Sequence, residues 1–190
     1  MPNAGAGDGG AHTPPVVDLA FDPFVAGHKR ELAAWLASER WPFHGLRQEW
    51  AEADVLAAVA AGEFTGGTNR SFWVVSGDDR VGLLRFRYLD EPSPDVDVRV
   101  LTRFRGLGVG TAMVEWAAAY IFTETDRHRL CGETRIDNVP MRRVFDRCGW
   151  LQEAHYRASW PDGEGGWVDS VGYAILRSDR SGSGAPHAVE

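Results

Sequence analysis

Residues 103–111, RFRGLGVGT, place Gly106, Gly108 and Gly110 at alternate positions behind Arg103 and Arg105. Main chain without Cβ atoms lets a bulky anion lie directly against peptide N–H groups. The segment before the loop, DVDVRVL (95–101), alternates valine with charge as a strand does. The segment after it, TAMVEWAAAYIF (111–122), carries Met113, Ala117, Tyr120 and Ile121 on one helical stripe. Between a strand and a helix N-terminus, free N–H groups and the helix dipole favour an anion, phosphate above all. A turn that holds no ligand seldom needs three alternate glycines.

Two phosphate-loop patterns do not fit. A Walker A loop needs Gly-Lys-Ser/Thr, and the loop has no lysine. A dinucleotide fingerprint needs G-x-G-x-x-G near the start of its fold, whereas the spacing here is G-x-G-x-G past mid-chain. Cys131 and Cys148 fit neither metal-ligand nor CxxC spacing and read as buried small apolar groups. With no cluster of His, Cys and carboxylate at ligand spacing, no metal is expected.

These residues depend on the elements around them. Helical periodicity runs through 26–40 (Leu32, Trp35, Leu36) and 46–62 (Trp50, Val55, Val59), with Pro42 and Gly45 of WPFHG breaking the two apart. SFWVVSGDDRVGLLRFRYL reads as a hairpin around Gly-Asp-Asp. In 95–101, Val96, Val98 and Val100 face one way and Asp95, Asp97 and Arg99 the other. HRLCGETRI (128–136) is a further strand. Asn138 then caps a short helix with Met141, Val144, Phe145 and Cys148 on its apolar face, ended by Gly149. Strands at about 150–159 and 167–176 close the chain around PDGEGG. The order predicts an α/β (equally α+β) single domain: one mixed, twisted sheet of about six or seven strands with about four helices on its faces. Its expected extent is 16–178. The Gly-, Ala-, Pro- and Ser-rich ends, 1–15 and 179–190, read as disordered tails.

Arg103-x-x-Gly106-x-Gly108, followed by Gly110-Thr111, resembles the Q/R-x-x-G-x-G/A loop of the GCN5-related N-acetyltransferase (GNAT) superfamily. GETRIDNVPMRRVFDRCGW (132–150) resembles the E-x-x-x-x-N…G-F/W segment of the ribosomal-protein alanine acetyltransferases. The resemblance covers roughly 70–176. It implies an enzyme that moves an acetyl group from acetyl-CoA to a primary amine by direct attack in a ternary complex. The loop from Arg105 to Thr111, Leu107 and Val109 included, would hold pyrophosphate, and the strand end at Val100 would pair with pantetheine. Of the two arginines, Arg105 is the better placed for phosphate; both also suit plain solvated surface. Asn138 would lie beside the pantetheine arm.

The resemblance aligns Glu133 with the catalytic base. A mid-strand carboxylate is costly unless it faces a cleft, and burial beside a thioester would raise its pKa usefully; the alternative is a structural pair with Arg135 or Arg99. Many members carry a tyrosine acid seven residues after the asparagine, where this chain has Phe145. His155 and Tyr156 are substitutes by position, and a non-catalytic acyl-CoA binder is the alternative function. Asp95 and Asp97 would line an acceptor groove that attracts a cationic amine, or form a salt-bridge ladder with Arg99 and other arginines. Eight tryptophans point the same way or simply fill a core. His44, flanked by Trp41 and Phe43, would bind or deprotonate the amine, or those rings staple the first two helices. A succinyl-type donor would need a cationic pocket that the sequence does not locate.

Composition bounds the partners. A 190-residue chain with 44% apolar and 25% charged residues can bury a real core. Net charge −7 argues against nucleic acid, and a basic content that is arginine except for Lys29 reads as coding bias. Neither a signal peptide nor an apolar run long enough to span a bilayer is present, so the expected setting is cytoplasmic, with no membrane partner. The acceptor is expected to be a small-molecule or peptide amine. Dimerisation is common in the family, and nothing in the sequence decides it.

Overall fold

Alternation in SFWVV puts Phe72 and Val74 on one face of a strand and Trp73 and Val75 on the other, so both faces need cover. The computed structural model, which describes residues 18–44 and 48–181, covers them with helices on both sides of a seven-stranded sheet. The strands are β1 (Ala20–Pro23), β2 (Arg70–Ser76), β3 (Asp79–Arg87), β4 (Asp95–Val100), β5 (Arg129–Arg135), β6 (Leu151–Pro161) and β7 (Trp167–Leu176). Their order is β1-β2-β3-β4-β5-β7-β6, antiparallel throughout except between β4 and β5. The helices are α1 (Lys29–Ala37), α2 (Glu52–Ala60), α3 (Val109–Glu124), α4 (Val139–Arg147) and a short α5 (Arg177–Ser181). The predicted mixed sheet flanked by helices is the observed fold.

Boundaries differ where local signals are weak. β1 was not expected: it has four residues, AFDP, and pairs only with β2 at the sheet edge. The helix expected from residue 46 begins at Glu52, where Glu52 and Asp54 suit the positive end of a helix dipole. Trp50 therefore precedes the helix, yet is buried against Phe64. α3 starts two residues earlier than its apolar stripe suggests. Gly45, the tail at 1–15 and residues 182–190 of the other tail lie outside the described residues, whereas 179–181, expected to be disordered, end α5.

Two cores sandwich the sheet. On one face Phe72, Val74, Leu84 and Phe86 pack against Met113, Ala117 and Ile121 of α3 and Phe145 of α4. On the other, Trp73 and Leu83 pack against Leu32 and Leu36 of α1 and Val55 and Val59 of α2.

The feature that creates a site is the β4–β5 junction. β3 and β4 are paired from Gly82↔Val100 to Arg87↔Asp95, whereas β4 and β5 share one register position, Asp95↔Cys131. Cys131 N donates to Pro94 O at 2.9 Å, and the strands then part. The outer edge of β4 beyond Asp95 faces a cleft, so its carbonyls find other donors: Val98 O accepts from His44 and Val100 O from Arg105.

Candidate active site

The glycine loop stands at the mouth of this cleft. After a 3₁₀ turn at Thr102–Phe104, Gly106 and Gly108 adopt φ of 77° and 86°, left-handed conformations that L side chains rarely take. Gly108 is the N-cap of α3 and gives it no side-chain acceptor. The first N–H groups of α3 are therefore left for an external anion. Gly106, Gly108, Gly110 and Thr111 line a cavity of about 480 Å³ together with Val100 and Arg105.

Arg105 is held at the loop by Val100 O (Nε–O 2.9 Å) and an ion pair with Glu39 (3.6 Å). Arg103 points elsewhere, to Asp79 at 3.0 Å, and does not line the cavity. Leu107 is exposed and Val109 is buried in the core, and neither lines the cavity. Arg143 and Arg147 of α4, which the sequence reading did not single out, line the far wall. Their i, i+4 spacing on the face opposite Phe145 was the signal that could have found them.

A second cavity, about 280 Å³, adjoins the first. Phe43, His44, Val98, Asn138 and Met141 line both cavities, so the two meet at one wall. Glu133 of β5 lines the second. Continuing the Asp95↔Cys131 register places it across the opening from Asp97. Its partner is neither Arg135 nor Arg99: Ser170 Oγ of β7 donates to Glu133 Oε1, and Ser159 Oγ lies 2.7 Å from Ser170 Oγ. The Glu133 side chain is exposed rather than buried. Asn138 caps α4 through Met141 N (3.4 Å), and its Nδ2 donates to Thr134 Oγ1 (2.9 Å).

An acetyltransferase (GNAT) domain family matches residues 18–150. The chain belongs to that family.

Membership supports acetyl transfer to an amine in general, and solved relatives share the fold. Spermidine N-acetyltransferase from Vibrio cholerae, in complex with CoA and spermine, is similar at TM-score 0.75 and 18% identity, over 86% of this chain and 98% of that one. Mycobacterium smegmatis RimJ in complex with CoA-disulfide gives 0.71 and 18%, over 85% and 83%. A dodecameric spermidine N-acetyltransferase from Vibrio cholerae in an intermediate state gives 0.70 and 16%, over 85% and 95%. No curated protein sequence matches the chain.

In this GNAT chain the acidic face of β4 is already neutralised by β3. Asp97 Oδ2 accepts from Arg85 (2.9 Å) and Arg99 (3.1 Å), while His44 Nε2 lies 3.3 Å from Oδ1. Asp95 pairs with Arg87 (Nε–Oδ2 2.8 Å) and lines neither cavity. The ladder was legible in the sequence, since Arg85 and Arg87 alternate with Leu84 and Phe86 opposite Asp97 and Asp95. Burial pushes the Asp97 carboxyl up, but Arg99, Arg85 and His44 outweigh it and hold the group well below the usual carboxylate range. Burial raises Asp95, and Arg87 offsets only part of that. An Asp97→Ala chain, which strands two guanidinium groups in the wall, is expected to lose about 3–5 kcal/mol of stability in denaturant unfolding. A loss below about 1 kcal/mol would mean that solvent already screens the cluster.

His44 lies in the shared wall. Its Nε2 faces two acceptors, Val98 O (3.1 Å) and Asp97, which assigns the proton to Nε2 and leaves Nδ1 unpartnered among the described residues. Burial, then the Arg99 charge, lowers its pKa below the ordinary 6.5, more than Asp97 raises it. The unfolded chain therefore takes up a proton near pH 6.5 that the folded chain refuses, and stability falls as pH drops through that value. Between pH 7 and 5.5, Tm of a His44→Gln chain is expected to fall less steeply than that of the parent. Equal slopes would exclude a neutral buried imidazole, and unchanged turnover would leave His44 a structural role.

His155 and Tyr156 line neither cavity; His155 is paired with Asp169 at 2.6 Å and Tyr156 is exposed on β6. Phe145 does line the second cavity. It is buried between Trp150 and Tyr173, with its ring so close over β5 that a Cβ on Gly132 would meet Phe145 Cζ at 2.7 Å. The cysteines are half-buried rather than fully buried, and burial pushes the Cys148 thiol up to about 11.

Proposed function

We propose that the chain moves an acetyl group from acetyl-CoA to a primary amine by direct attack in a ternary complex. The observation that carries this is the pair of cavities meeting at Phe43, His44, Val98, Asn138 and Met141, one floored by the glycine loop and the other holding Glu133. The backbone from Arg105 to Thr111 takes the pyrophosphate, with Arg105, Arg143 and Arg147 supplying positive charge. Val98 and Val100 present the β4 edge to the pantetheine arm, and Asn138 stands beside it. The thioester then points through the shared wall, where the amine meets it. Glu133 takes the proton from the attacking amine, directly or through water. Ser170 orients that carboxylate. Positioning of two reactants supplies much of the rate, because a thioester is already activated.

Within the family, the segment from Glu133 to Trp150 supports a place near the ribosomal-protein alanine acetyltransferases. The two spermidine N-acetyltransferases named above support a small amine acceptor, and the dodecameric one supports self-association, which light scattering after size exclusion would measure. A second reading is favoured by Phe145: with no hydroxyl there to protonate the leaving thiolate, the chain would bind acyl-CoA without turning it over. Calorimetric titration with acetyl-CoA, CoA and ADP tests both readings. One saturable site per chain is expected; an absence of binding at high micromolar ligand would sink them together. Amine-dependent release of CoA, read by mass spectrometry, then separates transferase from binder.

A further inference from the structure

Two guanidinium groups in the wall of the second cavity converge on one carboxylate. Arg85 and Arg99 both donate to a single oxygen, Asp97 Oδ2, and the other oxygen faces His44. Both arginine residues are more than nine-tenths buried, at 8% and 5% exposure. Arg99 Nη1 and Arg85 Nε have no acceptor among the described residues. Buried N–H groups on a cation are costly to leave unpaired, so an arrangement that keeps two of them points to an absent acceptor.

The neighbouring acids do not supply it. Asp95 is taken by Arg87, Glu133 accepts from Ser170 across the opening, and Arg85 reaches Glu63 through its backbone O (3.4 Å) from Nη1, not Nε. Aromatic rings hold the two cations in place: Arg99 lies over Trp41 (5.5 Å) and Trp50 (6.0 Å), and Arg85 over Phe64 (4.9 Å). The cavity thus presents both charges, guanidinium from β3 and β4, and carboxylate from Glu133 on β5 and from Glu63 before β2. Its volume of about 280 Å³ suits a small molecule. Trp50, Phe43 and Trp160 add apolar wall.

We propose that this cavity binds a substrate carboxylate on Arg99 and Arg85, and that the carboxylate belongs to the amine acceptor, an amino acid or the C-terminal residue of a short peptide. The inference rests on the proposed acetyl transfer at the same site. The acceptor's carboxylate docks on the arginine pair, and its amine then lies toward Glu133 and the shared wall. No covalent step is added to the transfer already described.

The test compares L-leucine and L-phenylalanine with L-leucinamide and L-phenylalaninamide, with spermidine as the polyamine comparison. Turnover is measured with acetyl-CoA, and binding by calorimetry on the chain saturated with CoA. A preference for the free acid of at least about tenfold in kcat/KM or in affinity is expected, the effect of one charge-assisted hydrogen-bond pair. The amide's amine is the more easily deprotonated, so intrinsic reactivity runs the other way. Equal use of acid and amide, or preference for spermidine, overturns the proposal. Succinyl-CoA with leucinamide forms the other arm: efficient use of that pair, with the free acids ignored, would move the carboxylate to the acyl group and overturn its assignment to the acceptor.

An Arg99→Lys chain keeps the charge but loses the fork, and is expected to erase the acid-over-amide preference while acetyl-CoA affinity stays unchanged. Retention of the preference in a folded variant would count against Arg99. The parent-chain comparison needs no variant to fold. Acetyl-CoA affinity, measured separately, shows whether a failure belongs to this inference or to the transferase reading: loss of CoA binding ends both, whereas CoA binding without acid preference ends only the present one.

Discussion

Replacing Glu133 with glutamine is expected to leave acetyl-CoA affinity unchanged and to lower kcat by about 10²-fold or more, the usual contribution of a positioned general base. That factor corresponds to about 2.7 kcal/mol of barrier. Glutamine keeps the shape and an oxygen that can still accept from Ser170 Oγ, so the geometry at β5 survives and only the proton acceptor is lost. KM for acetyl-CoA should not move, because Glu133 does not line the glycine-loop cavity. Turnover within about twofold of the parent would remove Glu133 from the chemistry. The imidazole of His44, with Nδ1 unpartnered among the described residues, would then be the base to examine. A Ser170→Ala chain separates position from proton transfer: it should lower kcat less than E133Q, and in a background that already carries E133Q it should add little.

Replacing Gly108 with valine is expected to weaken acetyl-CoA binding by at least about tenfold, or about 1.4 kcal/mol. At φ 86° a β-branched residue is strained, by about 1–3 kcal/mol. Relief of that strain turns the first peptide N–H groups of α3 away from the anion they would hold. A Cβ at Gly108 meets nothing within 4 Å, so the chain itself folds and the loss falls on the ligand. Titration calorimetry measures the binding, and a melting curve reports a fall in Tm of about 2–12 °C for that strain in a domain of this size. Unchanged affinity would reduce RFRGLGVGT to a turn. ADP should lose affinity in parallel with acetyl-CoA, because pyrophosphate is the part they share.

Much of this protein was legible in one dimension because the signals involved are short-range. A three-glycine loop between an alternating strand and an apolar stripe is seen within residues 95–122, and the loop stands where those residues imply. Asn138 and Gly149 bracket α4 as cap and stop, because capping hydrogen bonds and positive φ are decided within one turn. β1 escaped for the opposite reason: AFDP has no periodicity of its own and is a strand only because β2 offers an edge.

What tertiary structure alone decided is which groups meet. Arg103 and Arg105 look alike in sequence, yet one turns to Asp79 and the other to the groove, because Glu39 of the α1 end stands beside Arg105. Glu133 had arginines nearby in sequence and found Ser170, because sheet order places β7 next to β5. The parting of β4 from β5 after one register position carries no local mark, since either strand alone could have continued to pair. That parting makes the two cavities and brings them to one wall. It also leaves Arg85 and Arg99 sharing Asp97 at the base of one of them. Residue type and spacing determined what chemistry the chain carries; long-range strand order decided where that chemistry is assembled.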